Sequence, residues 1–416
     1  MSHLGGRFFA SYTNAGPDRL FSIPLNMDRR TFLSLSAAAT AGLLTSCGTQ
    51  DQLAITLLQG SIPPQMIGDF KKKLAEEQAL TVKPEEQLSK IVELLQTWHN
   101  SGDNEKSWWD TIPLVGQNTP QIANIVTLGD AWLESAIAKN LIQPLDINKL
   151  ASWPKLSAKW QKFVTRNSQG KIDPKGQVYG APYRFGSLVI AYDQDKFAGK
   201  ITDWSDLWQQ DLQGRISLLD DYRTAIGLTL KKLGHSFNTI DLGAIGNLEQ
   251  ELQQLQKQVR LYSSDKYLQP LVLGDTWAAV GWSSDVVAIR ERYPKLKIVV
   301  PTSGTSLWVD LWVQPKAKNM VQDPKETTVD NPLIREWLDF CWQSKSVKQI
   351  LLFADGISPI LTRELDSDLA QNVAANPLAQ AIVRNFEQHE FMTSLSKDTE
   401  AQYLKTWQKM RNVSSS

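Results

Sequence analysis

The chain has 416 residues, of which 42% are hydrophobic and 21% charged, so it is long and apolar enough to form about two or three domains. Its 44 basic residues balance its 44 acidic residues, which excludes the positive excess typical of nucleic-acid binding. The two cysteines, Cys47 and Cys341, and the four scattered histidines form neither a disulfide framework nor a metal-ligand pattern. We therefore predict no metal and no cofactor.

The first 46 residues have the pattern of a targeting segment. Two adjacent arginines at positions 29 and 30 precede an uncharged stretch, and small residues then lead to Cys47. Residues 44–47, Leu-Thr-Ser-Cys, resemble the lipobox of bacterial lipoproteins, in which the cysteine carries the lipid. We predict a signal segment at residues 1–46, with Met27 as an alternative start. We also predict export by the twin-arginine or Sec route and a lipid anchor on Cys47.

The rest of the chain alternates short apolar runs with amphipathic segments. The apolar runs predict strands at residues 53–58, 122–128, 188–192, 278–282 and 298–300. Apolar residues at three- and four-residue spacing predict helices near residues 88–98, 248–259 and 331–341. This alternation, with short connections, favours an α/β fold with largely parallel sheets.

Several smaller features have structural interpretations. Residues 203–208 and 220–224 begin with aspartates, which is typical of helix N-termini. Cys341 lies between Trp337 and Trp342, and we predict it to be a buried small hydrophobe. The phosphate-loop, dinucleotide, metalloprotease and hydrolase motifs are missing from the sequence, which argues against the common catalytic classes.

A tryptophan and a carboxylate stand two residues apart in the segment Trp308-Val309-Asp310. On an extended strand both side chains face the same way, and together they could hold an ammonium group. An aromatic face attracts a cation by about 0.5 to 2 kcal/mol, and a charge-assisted hydrogen bond adds about 1.5 to 3 kcal/mol. A core tryptophan beside a surface aspartate is the plainer alternative for such a triplet.

The order of segments around this triplet resembles a known family. The segments that carry the resemblance are residues 182–186 (PYRFG), 201–208 (ITDWSDLW), 212–216 (LQGRI), 219–223 (LDDYR), 280–283 (VGWS), 304–310 (GTSLWVD) and 315–319 (PKAKN). They resemble the spermidine/putrescine-binding proteins of bacterial ABC importers, and the resemblance spans residues 52–412. It implies a type II periplasmic binding-protein fold, in which two α/β lobes are joined by crossing strands with a ligand cleft between them.

The resemblance also implies a domain division. Residues 47–188 with 310–365 would form lobe 1, residues 189–309 would form lobe 2, and residues 366–416 would be C-terminal helices packed on the lobes. The crossings would be residues 183–193 and 308–315.

Site residues follow from the resemblance position by position. Trp282 and Trp308 would flank the methylene chain of the ligand, Asp310 would hold a charged amine, and Asp221 would serve the other end. Ser61 and Thr224 would also line the site, but they are departures that lose family contacts: Ser61 stands in place of the family's first aromatic and acidic cluster, and Thr224 replaces an acidic residue. Ile357 stands where the family has a tyrosine. Asp130 or Trp132 would compensate for these losses.

These departures leave fewer acidic groups in the cleft, which favours a shorter or singly charged amine over a long triamine. We expect a monomeric periplasmic lipoprotein that captures a polyamine or a related cationic amine and delivers it to an ABC permease. It would have no catalytic residues. The alternatives are a lipoprotein of the same fold that acts as a scaffold or binds another solute, such as an amino acid or quaternary amine. An exported hydrolase using Asp221 or Asp310 is a third reading.

Overall fold

The structure, a computed structural model, describes residues 52–100, 121–316, 331–363 and 367–412. Its strands are β1 Gln52–Leu58, β2 Ala79–Glu85, β3 Ile125–Gly129, β4 Ile142–Gln143, β5 Thr165–Arg166, β6 Gln177–Val178, β7 Ala181–Asp193, β8 Ile216–Leu218, β9 Val259–Tyr262, β10 Ala278–Trp282, β11 Leu296–Val299, β12 Ser306–Pro315 and β13 Glu390–Phe391. Its α-helices are α1 Pro64–Lys71, α2 Leu88–Asn100, α3 Asp130–Ala138, α4 Ala158–Val164, α5 Tyr222–Lys232, α6 Leu248–Gln258, α7 Gln269–Leu273, α8 Ser283–Arg290, α9 Pro332–Cys341, α10 Ser344–Phe353, α11 Ser367–Ala374, α12 Pro377–Arg384 and α13 Lys397–Asn412. The predicted signal segment and Cys47 lie outside the described residues.

The strands and helices predicted from periodicity are confirmed. The predicted strand at 278–282 is β10, and the runs near residues 53, 122, 188 and 298 fall in β1, β3, β7 and β11. Asn331 caps α9 by accepting a hydrogen bond from the Leu333 N–H, and Pro332 opens the helix, where a missing N–H does no harm. Cys341 at the end of that helix is fully buried, as predicted.

The main sheet is mixed, which corrects the expectation of largely parallel sheets. Its strands run in the order β2-β1-β3-β12-β7-β10-β8-β9. The outer pairs β1–β2, β1–β3, β8–β10 and β8–β9 are parallel. The central strands β7 and β12 are antiparallel to each other and to β3, β10 and β11. Strands β7 and β12 lie next to each other at the centre of the sheet. The apolar runs alone do not predict the direction in which these two strands run.

Two hydrophobic cores lie along this sheet. The first contains β1, β3 and β12 with α2, α3, α9 and α10, and includes Trp312 and Trp337, whose ring centroids lie 5.5 Å apart. The second contains β8 and β10 with α5 and α6, and includes Trp204 and Phe237. Strand β7 contributes Phe185 and Val189 to the first core and Leu188 to the second, so it links the two.

The C-terminal helices divide between the two cores. Leu369 of α11 and Ile382 of α12 join the first core, whereas Tyr403 and Met410 of α13 join the second. The division of the chain into lobe 1, lobe 2 and a C-terminal helical segment stays a prediction. Within the part of the chain that the structure describes, no helix combines the length and apolarity needed to cross a membrane.

Candidate functional site

The pairing register of β7 and β12 creates a line of special residues on one face of the sheet. Trp308 lies opposite Gly186, and Asp310 lies opposite Arg184. Residues two apart on a strand share a face, so the register places the indole, the carboxylate and the guanidinium side by side. The register shifts between Asp310 and Leu311, where the ladder carries an irregularity of the kind often found next to functional sites.

Asp310 is held in a buried ion pair. The Arg184 Nη2 and Nε atoms lie 2.6 Å and 2.8 Å from the Asp310 Oδ2 atom, and the two residues are only 6% and 3% exposed. Burial alone would lower the pKa of the Arg184 guanidinium, but the Asp310 carboxylate outweighs it and the net direction is upward. A guanidinium does not lose its proton in proteins, so the pair is ionic. The carboxylate predicted to hold an amine is therefore already paired.

The Arg184 guanidinium has two further partners. Its Nη1 donates a hydrogen bond of 2.7 Å to the Ala354 carbonyl oxygen, and its Cζ atom lies 5.2 Å from the centroid of the Trp308 ring. Two backbone hydrogen bonds between Phe185 and Ile357, of 2.9 Å and 2.8 Å, hold the segment that carries Ala354 against β7. Ile357, which replaces an expected tyrosine, is buried and contributes its backbone here.

Asp130, the first residue of α3, is the second carboxylate of the site. The Val309 N–H donates a hydrogen bond of 3.2 Å to the Asp130 Oδ1 atom. Burial raises the pKa of the Asp130 carboxyl to about 7; the Val309 N–H opposes this rise, and the charge on Asp310 adds to it. Among the described residues, no lysine or arginine forms an ion pair with Asp130. Asp130 thus has no cation within ion-pair distance, and the charge of the buried Arg166 acts on it only from farther away.

Trp132 and Ser61 contact residues that neighbour this group. The Trp132 ring packs so close to Gly129, the strand partner of Asp310, that a Cβ atom at position 129 would lie 3.2 Å from it. The buried Ser61 hydroxyl lies near the Tyr183 hydroxyl, which also faces Thr127 at 3.3 Å. The structure therefore brings Trp308, Asp310 and Asp130 together, with Trp132 and Ser61 next to them.

Trp282 ends β10 and lies at the second core. Its strand partner is Leu188 of β7, two residues beyond the partner of Trp308. The Trp282 N–H donates to the Tyr267 hydroxyl at 3.1 Å, and that hydroxyl donates to the Asp285 Oδ2 atom at 2.6 Å. The neighbouring segment thus adds a hydrogen-bonded tyrosine and carboxylate that the sequence did not single out.

Asp221 and Thr224 lie at the start of helix α5. Asp221 is the N-cap of α5, and it accepts hydrogen bonds from the Arg223 and Thr224 N–H groups and, at 2.6 Å, from the Thr224 hydroxyl. Thr224 is fully buried. Within the described chain these contacts stay in the first turn of the helix, so the structure does not join this pair to Trp308 or Asp310. The helix N-terminus predicted at residues 220–224 is confirmed.

Arg184 is the site residue that sequence reasoning missed. All but one of the residues of β7 are buried, and Arg184 is a charged residue near the start of this strand. Buried charges in proteins are nearly always paired, so an arginine in such an apolar run predicts a buried acidic partner. This signal was present in the segment PYRFG.

Two hydrophobic cores thus lie beside one mixed sheet, and polar groups gather on its central strands. Residues 120–385 match the family model described as bacterial extracellular solute-binding protein, and the chain belongs to that family. A spermidine/putrescine-binding periplasmic protein of Salmonella typhimurium is 28% identical over 198 residues, which cover 47% of this chain and 55% of that protein. A putrescine/cadaverine-binding protein of Pseudomonas aeruginosa is 27% identical over 194 residues, covering 43% of this chain and 52% of that protein.

The solved structures agree on the fold. A spermidine/putrescine ABC transporter substrate-binding protein of Streptococcus pneumoniae superimposes with a TM-score of 0.68 at 17% identity, covering 87% of this chain and 99% of the other. The predicted fold class, two α/β lobes of a periplasmic binding protein, is confirmed. The matched segment spans only about half the length of the curated relatives.

Proposed function

We propose that this chain is the substrate-binding component of an ABC importer and that it captures a cationic amine between its lobes. The observation that carries the proposal is Asp130, a partly buried carboxylate with no described cation partner. It accepts a hydrogen bond from Val309, the residue after Trp308; Trp308 is 3% exposed, and its ring already faces one cation. An incoming ammonium group would give Asp130 the counter-charge that it lacks.

The chemistry of the ligand class follows from these groups. An alkylammonium has a pKa near about 10.4 and stays charged at neutral pH, so it pairs with a carboxylate and with aromatic faces. The two relatives described above are named for putrescine, spermidine and cadaverine, which are all alkylamines. The names of these relatives support an alkylamine as the ligand class. The positions of Trp308 and Asp130 support binding of its ammonium group at Asp130.

The capture mechanism we propose is closure of the two lobes. Trp308, Asp310 and Arg184 are 3%, 3% and 6% exposed, so a ligand reaches this group only when the lobes separate. Binding would then favour the closed form, as in other hinged binding proteins, and the closed form would present one surface to a permease. The protein would bind and release its ligand without turnover, as a monomer.

Location is part of the same proposal. We propose that the chain is exported, that its signal segment is removed, and that a lipid on Cys47 holds it at the membrane on the periplasmic side. Globomycin treatment of expressing cells, followed by mass spectrometry of the N-terminus, tests the anchor. An unmodified Cys47 in the mature protein would contradict it.

The binding experiment uses the protein from residue 48 onward. Tryptophan fluorescence and calorimetry are recorded during titration with putrescine, spermidine, betaine and γ-aminobutyrate. We expect saturable binding of at least one amine and a loss of about 10- to 100-fold in affinity with Asp130→Asn, because one charge-assisted hydrogen bond is removed. The matched control is Asp368→Asn, an exposed carboxylate in the first turn of α11, which should leave affinity unchanged. Folded protein that binds none of these ligands would contradict the proposal.

A scaffold role is the second candidate, and the Arg184–Asp310 pair favours it because the pair fills a site expected to hold ligand. Small-angle scattering separates the two functions. A radius of gyration that falls on addition of an amine supports capture. A radius that no amine changes, together with absent binding heat, supports the scaffold.

A further inference from the structure

Arg184 occupies a position that has the chemistry of a bound cation. Its guanidinium meets a buried carboxylate, a backbone carbonyl oxygen and an indole face, at 2.6 Å, 2.7 Å and 5.2 Å respectively. These are the three kinds of group that recognise an external guanidinium or alkylammonium. The cation is here supplied by the chain itself.

Two glycines make room for this arrangement. A Cβ atom at Gly186 would lie 2.6 Å from the Trp308 indole and 2.3 Å from the Ser283 Oγ atom. A Cβ atom at Gly356 would lie 2.5 Å from the Arg184 Cγ atom. The missing side chains allow the indole to lie flat over β7 and the arginine stem to lie against the neighbouring segment. The pocket is therefore shaped around the tethered cation.

A tethered cation competes strongly with a free one. It is held at the site by the backbone, so its effective concentration is in the millimolar range or above, and an external amine must displace it. Displacement would also leave a buried guanidinium without its carboxylate, which is unfavourable. The remaining described carboxylates that influence Arg184 are Asp285, which is bonded to a tyrosine, and Asp355, which is exposed.

We propose that Arg184 is a built-in occupant of the cation subsite formed by Asp310, Trp308 and the Ala354 carbonyl, and that it restricts the natural ligand to a single cationic group. The restriction to a single cationic group rests on the proposed function, because it assumes that an amine enters beside Asp130. The assignment of Arg184 as occupant of the cation subsite does not depend on the proposed function.

The test empties the subsite and refills it from solution. Arg184→Ala removes the side chain beyond Cβ, and ethylguanidine supplies nearly the same missing atoms. We expect millimolar ethylguanidine to raise the melting temperature of Arg184→Ala saturably and to have no such effect on the unmodified protein. Ethylurea has the same shape without the charge and should be ineffective. If the variant folds only when ethylguanidine is present, that recovery is itself the expected rescue.

Two matched variants show where the guanidine binds. Arg184→Ala with Asp310→Asn keeps the cavity but removes the counter-charge, and we expect the ethylguanidine effect to fall by at least about tenfold in concentration. Arg166→Ala removes another buried arginine, one hydrogen-bonded to the carbonyls of Phe163 and Gly170 and, among the described residues, to no carboxylate. The charges of Glu134 and Asp130 act on Arg166 without a hydrogen bond. Ethylguanidine should not rescue it.

Diamine binding tests the restriction on ligand charge. Putrescine should bind Arg184→Ala at least about tenfold more tightly than the unmodified protein, because the vacated carboxylate accepts its second ammonium group. Absence of any ethylguanidine effect on Arg184→Ala, or equal putrescine affinity in the two proteins, overturns the inference. Failure of the proposed function gives a different pattern: the unmodified protein then binds no amine, while ethylguanidine still rescues the variant.

Discussion

Replacing Asp130 with asparagine should make the protein more stable and a poorer binder at the same time. The carboxyl group is partly buried, accepts the Val309 N–H and has no described cation partner. Asparagine keeps an oxygen that can accept that N–H and carries no charge to desolvate. The Asp130 charge should destabilise the protein without ligand and strengthen the binding of an amine, so removing the charge should have opposite effects on stability and on affinity.

The magnitude follows from the pKa of Asp130. Burial raises it from the ordinary value of 3.8 to about 7, a difference of roughly 3 units, and each unit corresponds to about 1.4 kcal/mol. The upper limit is therefore about 4 kcal/mol, and partial exposure of the side chain reduces the expected effect to about 2 kcal/mol. The raised pKa means that the folded state binds the proton more tightly than the unfolded state. This stabilisation is complete below about pH 4 and is lost as the pH rises through about 7.

The assay is thermal unfolding at several pH values between 4 and 8 in the absence of ligand. The unmodified protein should lose stability across this window, and Asp130→Asn should show a flatter profile and a melting temperature roughly 4 °C higher at pH 8. Amine affinity of the unmodified protein should rise through the same window, because only the ionised carboxylate pairs with a cation. An asparagine variant that is less stable than the unmodified protein at pH 8, or that keeps its pH profile, would refute the reasoning.

Three further substitutions test the packing around the site. Asp310→Leu leaves the Arg184 guanidinium buried without a carboxylate and should lower the free energy of unfolding by about 3 to 5 kcal/mol. Adding Arg184→Met to this variant should recover most of the lost stability. A denaturant titration of both variants measures the two effects. Gly186→Ala places a methyl group 2.6 Å from the Trp308 indole and should destabilise the fold by about 1 to 3 kcal/mol, with altered tryptophan emission; unchanged stability would contradict the packing. Asp221→Ala removes a helix cap and should reduce the free energy of unfolding by about 1 kcal/mol with amine affinity unchanged. A large loss of amine affinity would instead show that Asp221 contacts the ligand.

Much of the fold could be read from local pattern, because local pattern determines local structure. The five apolar runs became strands, and the proline after Asn331 marked the start of α9. The orientation of the central strands could not be read in this way. Whether β7 and β12 run parallel or antiparallel to their neighbours depends on pairings between residues more than 100 positions apart, such as Arg184 with Asp310.

The site was predicted in part for the same reason. Two-residue spacing correctly placed Trp308 and Asp310 on one face, since that is a local property of a strand. The state of the Asp310 carboxylate depends on Arg184, which only the register brings opposite it. Asp221 shows the converse case: its hydrogen bonds lie within three residues of itself, so the sequence alone predicted the helix N-terminus at residues 220–224.

The two carboxylates of the site explain each other. The charge on Asp310 raises the pKa of Asp130; Asp310 is buried and Asp130 is partly buried. Two ionised carboxylates in such a place need two cations, or one of them must take up a proton. Arg184 supplies one cation permanently. The Asp130 carboxylate can then be neutralised either by the ammonium group of a ligand or by a proton. Amine capture and protonation of Asp130 are therefore alternative ways to neutralise the same carboxylate.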